Sequence, residues 1–286
     1  MSFLRHITAC NTHDLSRYRP FFVAGYRVGH IRADLFQTLL GVGNPFVALN
    51  DGLSLPERYR TPADRTAVMR TAVERLAAMG AVPPLRGEEY DVVTHWGAEP
   101  LMRLDRGAVS SLGVKGFGLH VNGFVRRDDP DPGRGLHLWV GIRAKDRAVA
   151  PGKYDNLVAG GQPAGLTLEQ NLLKEGAEEA GLPPDLARRA VPVGFISYLM
   201  ENKVGLKDDT MFCFDLELPP DFIPRNTDGE VERFELWPAA EVAESIQSTD
   251  RWKFNVNLVV TDFLIRHGVI GPDHPEYLAL AKGLRR

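Results

Sequence analysis

Apolar residues recur along the chain at two spacings, and the alternation of those spacings lays out its elements. "FFVAGYRVGHI" (21–31) and "PFVALN" (45–50) read as strands, separated by a short apolar helix around "ADLFQTLLG". A longer helix follows, with Thr61 as N-cap, Pro62 at its first position, Asp64 in its first turn and Gly80 just past its end. Val68, Ala72, Leu76 and Met79 supply its expected apolar stripe. "EYDVVTHW" returns to a strand pattern, and "LDRGAVSSLG" reads as a connection. Beyond it, "GFGLHVNGFVRR" and "GLHLWVGIRA" predict two strands joined by the turn-rich "DDPDPGRG". "VPVGFISYLMEN" and "DTMFCFDLEL" predict a hairpin, "VERFELWP" a further strand, and Arg251 to His267 an amphipathic helix stopped by Gly268, with a short helix around "PEYLALAKGL" after it. The expected division is an N-terminal α/β domain over 1–115 and a second domain over 116–286.

One helix conflicts with its own composition. In "GGQPAGLTLEQNLLKEGAEEAGL" (160–182), Thr167 and Gln170 form a plausible capping box, so the helix is expected to start there. Gly176 then sits in its interior, which costs roughly 1 kcal/mol against Ala. Glu175, Glu178 and Glu179 lie within an arc of about 100 degrees and repel one another. Leu173, Ala177 and Ala180 are expected on the opposite, buried side. A solvated acidic face normally mixes signs, whereas only Lys174 stands near these carboxylates. A divalent cation with a taste for hard oxygen ligands resolves the conflict, and Gly160, Gly161 and Gly165 let the preceding backbone come close to a ligand.

With 286 residues, 44% of them hydrophobic, the chain can build one large core or two modest ones. Its net charge of −3 offers no general attraction to nucleic acid or an anionic membrane, so neither is expected as a partner. Cys10 and Cys213 are the two cysteines and lack metal-ligand spacing, which suits a reducing compartment. With no signal-peptide pattern and no run of eighteen apolar residues, the expected location is cytoplasmic. The sequence does not fix the oligomeric state, and a homodimer is one expected assembly.

The stretch from Gly160 to Leu182 resembles the Nudix box, G, five residues, E, seven residues, R-E-U-x-E-E-x-G-U, where U is a bulky aliphatic residue. Gly160, Glu175, Glu178, Glu179, Gly181 and Leu182 match; Lys174 stands for Arg, Leu166 for the early Glu and Gly176 for the first bulky aliphatic. "HLWVGIRAKDRAVAPGKYDNLVAGGQPAG", "GFGLHVNGFV", "GYRVGHIRADLFQTLL" and "KFNVNLVVTDFLIRHGVI" are similar to a subgroup in which an N-terminal domain precedes the Nudix domain, including the Nudix halves of fungal thiamine pyrophosphokinases and related plant proteins.

The resemblance implies a Nudix-type α/β/α sandwich with a mixed sheet, preceded by a smaller α/β domain that selects substrate. It implies Mg2+-dependent hydrolysis of a small organic diphosphate, with Mn2+ able to replace Mg2+, and from the subgroup a substrate such as thiamine diphosphate or its damaged analogues. The implied metal ligands are Glu175, Glu178, Glu179 and the Gly160 backbone, with Lys174 orienting a carboxylate. Gly160, Gly161, Lys153, Arg143 and Tyr154 are the candidate substrate contacts. Glu179, Glu230 and Glu232 are candidates for the general base. Trp139, Tyr154, Phe195 and Tyr198 are the aromatic residues considered for a substrate ring, and His120 and His137 lie in predicted strands. Two other readings share the fold. A non-catalytic ligand-binding or sensor protein usually loses box glutamates that are present here. An isopentenyl diphosphate isomerase needs a Cys near the box, where this chain has Gly160, Gly161 and Gln162.

Overall fold

The computed structural model describes residues 2–43 and 45–285. The chain opens with α1 (Leu4–Cys10), β1 (Tyr18–Val23), β2 (Tyr26–Arg32), α2 (Ala33–Gly41), β3 (Val47–Ala48), β4 (Leu53–Ser54), α3 (Pro62–Ala78), β5 (Glu89–Val92) and β6 (Met102–Asp105). It continues with β7 (Lys115–Arg126), α4 (Pro132–Gly135), β8 (Leu136–Arg143), β9 (Tyr154–Asp155), β10 (Val158–Gly161), α5 (Leu168–Ala180), α6 (Pro184–Ala187), β11 (Val191–Glu201), β12 (Leu206–Glu217), β13 (Val231–Pro238), α7 (Ala239–Ser248), α8 (Val256–Arg266) and α9 (Tyr277–Gly283).

Two departures from the expected elements have local causes. "FFVAGYRVGHI" is a hairpin rather than one strand, because Ala24 and Gly25 both adopt positive φ (52° and 82°) and turn β1 back on β2. In α3 the capping box of Thr61 and Asp64 forms as the sequence indicates, yet the buried face is Met69, Ala72, Val73 and Leu76, and Met79 is 65% exposed at the C-cap. One further helix, α7, carries no start signal of Ser, Thr, Asp or Asn: Pro238 precedes it with no side-chain cap. Among the described residues no helix is long and apolar enough to cross a membrane.

The large sheet has the order β11-β12-β7-β8-β13, with β10 on β7 and β9 on β8. It is mixed, since β12 runs parallel to β7 while the other pairs are antiparallel. Strand alternation sends its side chains to two faces. Leu136, Leu138, Val140 and Ile142 pack with α7, α8 and α9; Leu119, Val121, Val158 and Leu216 pack with Leu172, Ala180 and Leu182 of α5 and its C-terminal turn. A separate cluster gathers residues from Phe21 to Val114. α1 lies outside that cluster: Phe3 packs beside Val256 and Phe263, and Cys10 beside Ile196 and Val259. The two bodies touch closely where a Cβ on Gly205 would lie 2.2 Å from the Ser110 carbonyl, which also accepts from the Leu206 N–H of β12 at 3.0 Å.

Candidate active site

α5 begins where the sequence places it. Thr167 Oγ1 accepts from the Gln170 N–H at 3.1 Å, and Gln170 Oε1 accepts from the Thr167 N–H at 2.8 Å. Gly181 ends it in the left-handed region at φ 62°. The buried face differs from the expected one. Leu172, Gly176, Glu179 and Ala180 face the sheet, and Ala177 faces solvent. The reason is Glu179, which turns inward so that its carboxylate accepts from the Ala159 N–H of β10 at 2.7 Å. The interior glycine has a use as well: a Cβ at Gly176 would sit 3.2 Å from Leu182 Cδ1, where that side chain folds back against the helix.

The three glutamates therefore form a gradient rather than an acidic face. The Glu178 and Glu175 side chains are 44% and 12% exposed, and Glu179 is 5% exposed. Lys174 Nζ bridges the outer two, at 3.1 Å from Glu175 and 2.8 Å from Glu178. Burial works against that ammonium, but the bonds to Glu178 and Glu175 outweigh it and raise its affinity for a proton. Burial pushes the Glu175 carboxyl above the usual carboxylate range despite Lys174. Glu179 is pushed well above it, by burial first and by the charge of Asp155 second. Among the described residues, no three His, Cys, Asp or Glu side chains are gathered closely enough to hold a metal, and at α5 Lys174 holds Glu178 on the outer side.

β10 is shaped around these side chains. A Cβ on Gly160 would meet Glu175 Cγ and Cδ at 2.5 Å, so only glycine lets Glu175 lie on the strand. A Cβ on Gly161 would meet the Tyr90 hydroxyl at 1.5 Å, so β5 of the N-terminal body reaches the same strand. The loop after β10 is held from both bodies: Ala164 N–H donates to the Glu89 carbonyl at 2.8 Å, and Asn171 Nδ2 donates to the Gly161 carbonyl at 2.7 Å.

Three of the expected substrate contacts sit elsewhere or are already engaged. Arg143 is buried and its NH1 donates to Asp155 at 2.7 Å. Lys253 donates to the same oxygen at 3.0 Å, and the two cations together hold the Asp155 carboxyl below its ordinary range against the opposing effect of burial. Arg143 is thus committed to a buried charge and is not free for a phosphate. Tyr154, 4% exposed, has its ring edge-on to Trp237 and Trp252 at 5.1 and 5.4 Å and leaves no face for a ligand. Lys153 donates to the Asp250 carbonyl. Of the other aromatic candidates, Tyr198 is 1% exposed and its hydroxyl donates to Asp209 at 2.6 Å; Trp139 packs under α5; Phe195 is exposed.

Beneath the site runs a buried polar chain. His120 Nδ1 faces Asn156 Oδ1 at 2.8 Å, Asn156 Nδ2 donates to Asn122 Oδ1 at 2.7 Å, and Asn122 Nδ2 donates to Asp215 at 3.0 Å. Since the Asn156 oxygen accepts, the His120 proton is on Nδ1. Burial pushes the His120 pKa down to about 4, so the ring is neutral. Arg266 and His267 close the chain on Asp215. Glu230 pairs with Arg147 at 2.6 Å and Glu232 with Arg233 at 3.1 Å. Cys213 is buried with its thiol pushed up to about 12, so it supplies no reactive sulfur.

Comparison with known proteins bears on this arrangement. The family described as "Domain of unknown function (DUF4743)" matches residues 2–116. Nudix hydrolase 20, chloroplastic, of Arabidopsis thaliana is 39% identical over 295 residues, covering 99% of this chain and 77% of that protein. Nudix hydrolase 24, chloroplastic, of the same plant is 38% identical over 287 residues with the same coverage. The crystal structure of DR0079 from Deinococcus radiodurans is similar at 18% identity and a TM-score of 0.44, covering 61% of this chain and 98% of that one.

Proposed function

Since the chain belongs to the Nudix hydrolases, we propose that it cleaves the diphosphate of a small organic diphosphate, thiamine diphosphate or its damaged analogues foremost, to the monophosphate and phosphate. Nudix hydrolases generally use divalent metal ions. Mg2+, with Mn2+ as a substitute, is the cation proposed here, held by Glu175, Glu178, Glu179 and the Gly160 backbone.

The observation that carries this reading is the pair Glu175 and Glu179, laid against Gly160 and Ala159 of one strand with proton affinities raised by burial. Hard carboxylate oxygens of this kind fit a small divalent cation. Glu178 would join Glu175 and Glu179 as a ligand only on leaving Lys174, whose ammonium would then rest on Glu175 alone. When bound, such an ion offsets charge on phosphate oxygens and eases deprotonation of water. Water adds to the terminal phosphorus, the bridging P–O bond breaks toward the organic monophosphate, and one proton is released. Glu179 is the carboxylate proposed to take it, because Glu230 and Glu232 are each engaged by an arginine. The N-terminal body is proposed to select the substrate, and its contacts with Gly161 and Ala164 favour that role. The cytoplasm remains the proposed compartment.

The test is phosphate release from thiamine diphosphate analogues, nucleoside diphosphate sugars and ADP-ribose with Mg2+ present. Glu178→Gln and Glu179→Gln should each lower kcat by about 10²- to 10⁴-fold, the range for a group that moves a proton or organises the reacting charge. Unchanged turnover in both variants would sink the assignment.

A further inference from the structure

The diphosphate reading leaves open what recognises the organic part of the substrate, and the aromatic residues named from the sequence do not line a single site. Another set does. Trp96 lies in the loop after β5, in the N-terminal body, and packs against two rings of the large sheet: Phe117 of β7 at 4.9 Å and Phe212 of β12 at 4.6 Å. Phe117 and Phe212 are near-parallel to each other, 18° apart at 6.5 Å. Trp96 nonetheless remains 45% exposed. A large indole held in place by two rings on a loop and still open to solvent is a preorganised apolar wall.

That wall bounds a cavity of about 370 Å³, whose other sides are Tyr90, Lys115, Gln162, Leu166 and Leu168. The size is that of a small-molecule site, and the lining is apolar with a few polar groups, as such sites require. The cavity borders the N-terminal start of the carboxylate helix and the strand on which Glu175 lies. Tyr90 lines it and rests its hydroxyl on Gly161; the neighbouring Gly160 carries Glu175; Leu166 and Leu168 lead directly into α5. A second cavity, of about 470 Å³, lies beside Arg70, Glu74 and Arg103, but Arg70 and Arg103 are paired with Glu89 and Asp91, and no aromatic wall bounds it among the described residues.

We propose that the cavity under Trp96 is the subsite for a planar heteroaromatic group of the substrate, which stacks on the indole while its diphosphate tail reaches the α5 carboxylates. The N-terminal body then determines specificity by supplying Trp96 and Tyr90. This rests on the reading that α5 acts on a diphosphate. Two properties favour a flat ring over an aliphatic chain: the rings of Tyr90, Trp96 and Phe117 in the lining, and an indole that gains most from a π-face partner; the polar groups beside them are Asp91, Lys115, Gln162 and Thr167, with Lys115 paired to Asp208 at 2.7 Å.

The experiment compares the full chain with Trp96→Ala and Trp96→Phe, using thiamine diphosphate and ADP as ring-bearing probes and isopentenyl diphosphate as the aliphatic one. Binding to metal-free protein is measured by calorimetry, and turnover with Mg2+ separately; thermal unfolding checks that the variants are folded. Trp96→Ala should weaken at least one ring-bearing probe about tenfold or more, the size expected for one lost stacking contact, and change isopentenyl diphosphate less than twofold. Trp96→Phe should recover most of the loss, and in turnover the effect should fall on KM rather than kcat. The subsite is overturned if the wild-type chain binds neither ring-bearing probe more tightly than isopentenyl diphosphate, or if Trp96→Ala leaves the ring-bearing probes unchanged or weakens all three alike. Failure of the diphosphate reading has a different signature: no wild-type turnover, with ring-dependent binding intact.

Discussion

Asp155 and Glu179 are both buried carboxylates, 3% and 5% exposed, near enough to feel each other's charge, and their environments drive them in opposite directions. Asp155 receives Arg143 and Lys253 and stays ionised. Glu179 receives one backbone N–H, no ion pair reaches it among the described residues, and it holds its proton tightly. Burying a charge with its partners makes a rigid element of the fold; burying one without them leaves a debt that a bound cation can settle. The same chain thus contains a finished electrostatic cluster and an unfinished one, and the unfinished one is where a ligand has something to gain.

The largest stability effect that tests this contrast comes from breaking the finished cluster. Asp155→Asn leaves Arg143 and Lys253 buried without their anion and should cost about 3–5 kcal/mol in chemical denaturation. A loss under about 1 kcal/mol would mean that water reaches those cations and that the cluster is not closed.

A smaller effect of opposite sign is expected at the unfinished site. Because the Glu179 carboxyl is raised above its unfolded value, the folded metal-free protein binds the extra proton. Its contribution is full at acidic pH and is lost as pH rises through the folded value, above the ordinary carboxylate range. Glu179→Gln, which keeps an acceptor for the Ala159 N–H, should therefore flatten that decline and raise the metal-free melting temperature near neutral pH by a few degrees. Mg2+ should narrow the difference between the two proteins. A variant that melts lower than the wild type at every pH contradicts the contrast.

The effect expected at His120 is confined to the acid side. Its pKa is lowered to about 4 from 6.5, so the unfolded chain takes up a proton that the folded one refuses, and stability falls as pH drops from 6.5 toward 4. His120→Gln should remove part of that acid slope in melting experiments across this window; an unaltered slope assigns it to other groups.

The sequence carried the local grammar well and the long-range contacts poorly. Thr167, Gln170 and Gly181 mark the ends of α5 because caps are decided within four residues. The faces of α3 and α5 are each displaced from the expected stripes, since rotation about a helix axis is set by what it packs on: Glu179 turning toward Ala159 moves Ala177 outward. Arg143 and Tyr154 resemble ligand contacts by residue type, but their partners, Asp155 and the two tryptophans, are fixed by strand pairing that no local pattern reveals. Trp96 carried no usable signal, because its two ring partners lie in β7 and in the distant β12.

The position of α1 has a mechanical consequence. α1 belongs to the large-sheet body; after it the chain leaves to build the cluster from Phe21 to Val114 and returns through β7. The N-terminal unit is therefore an excursion anchored at both ends, unlike an appendage swinging on one linker. Cutting before residue 115 strips Phe3 and Cys10 from the remaining core, so a minimal catalytic unit has to retain α1, spliced across the gap. If Trp96 and the α5 carboxylates hold the two ends of one substrate as proposed, this double anchoring is what sets the distance between them.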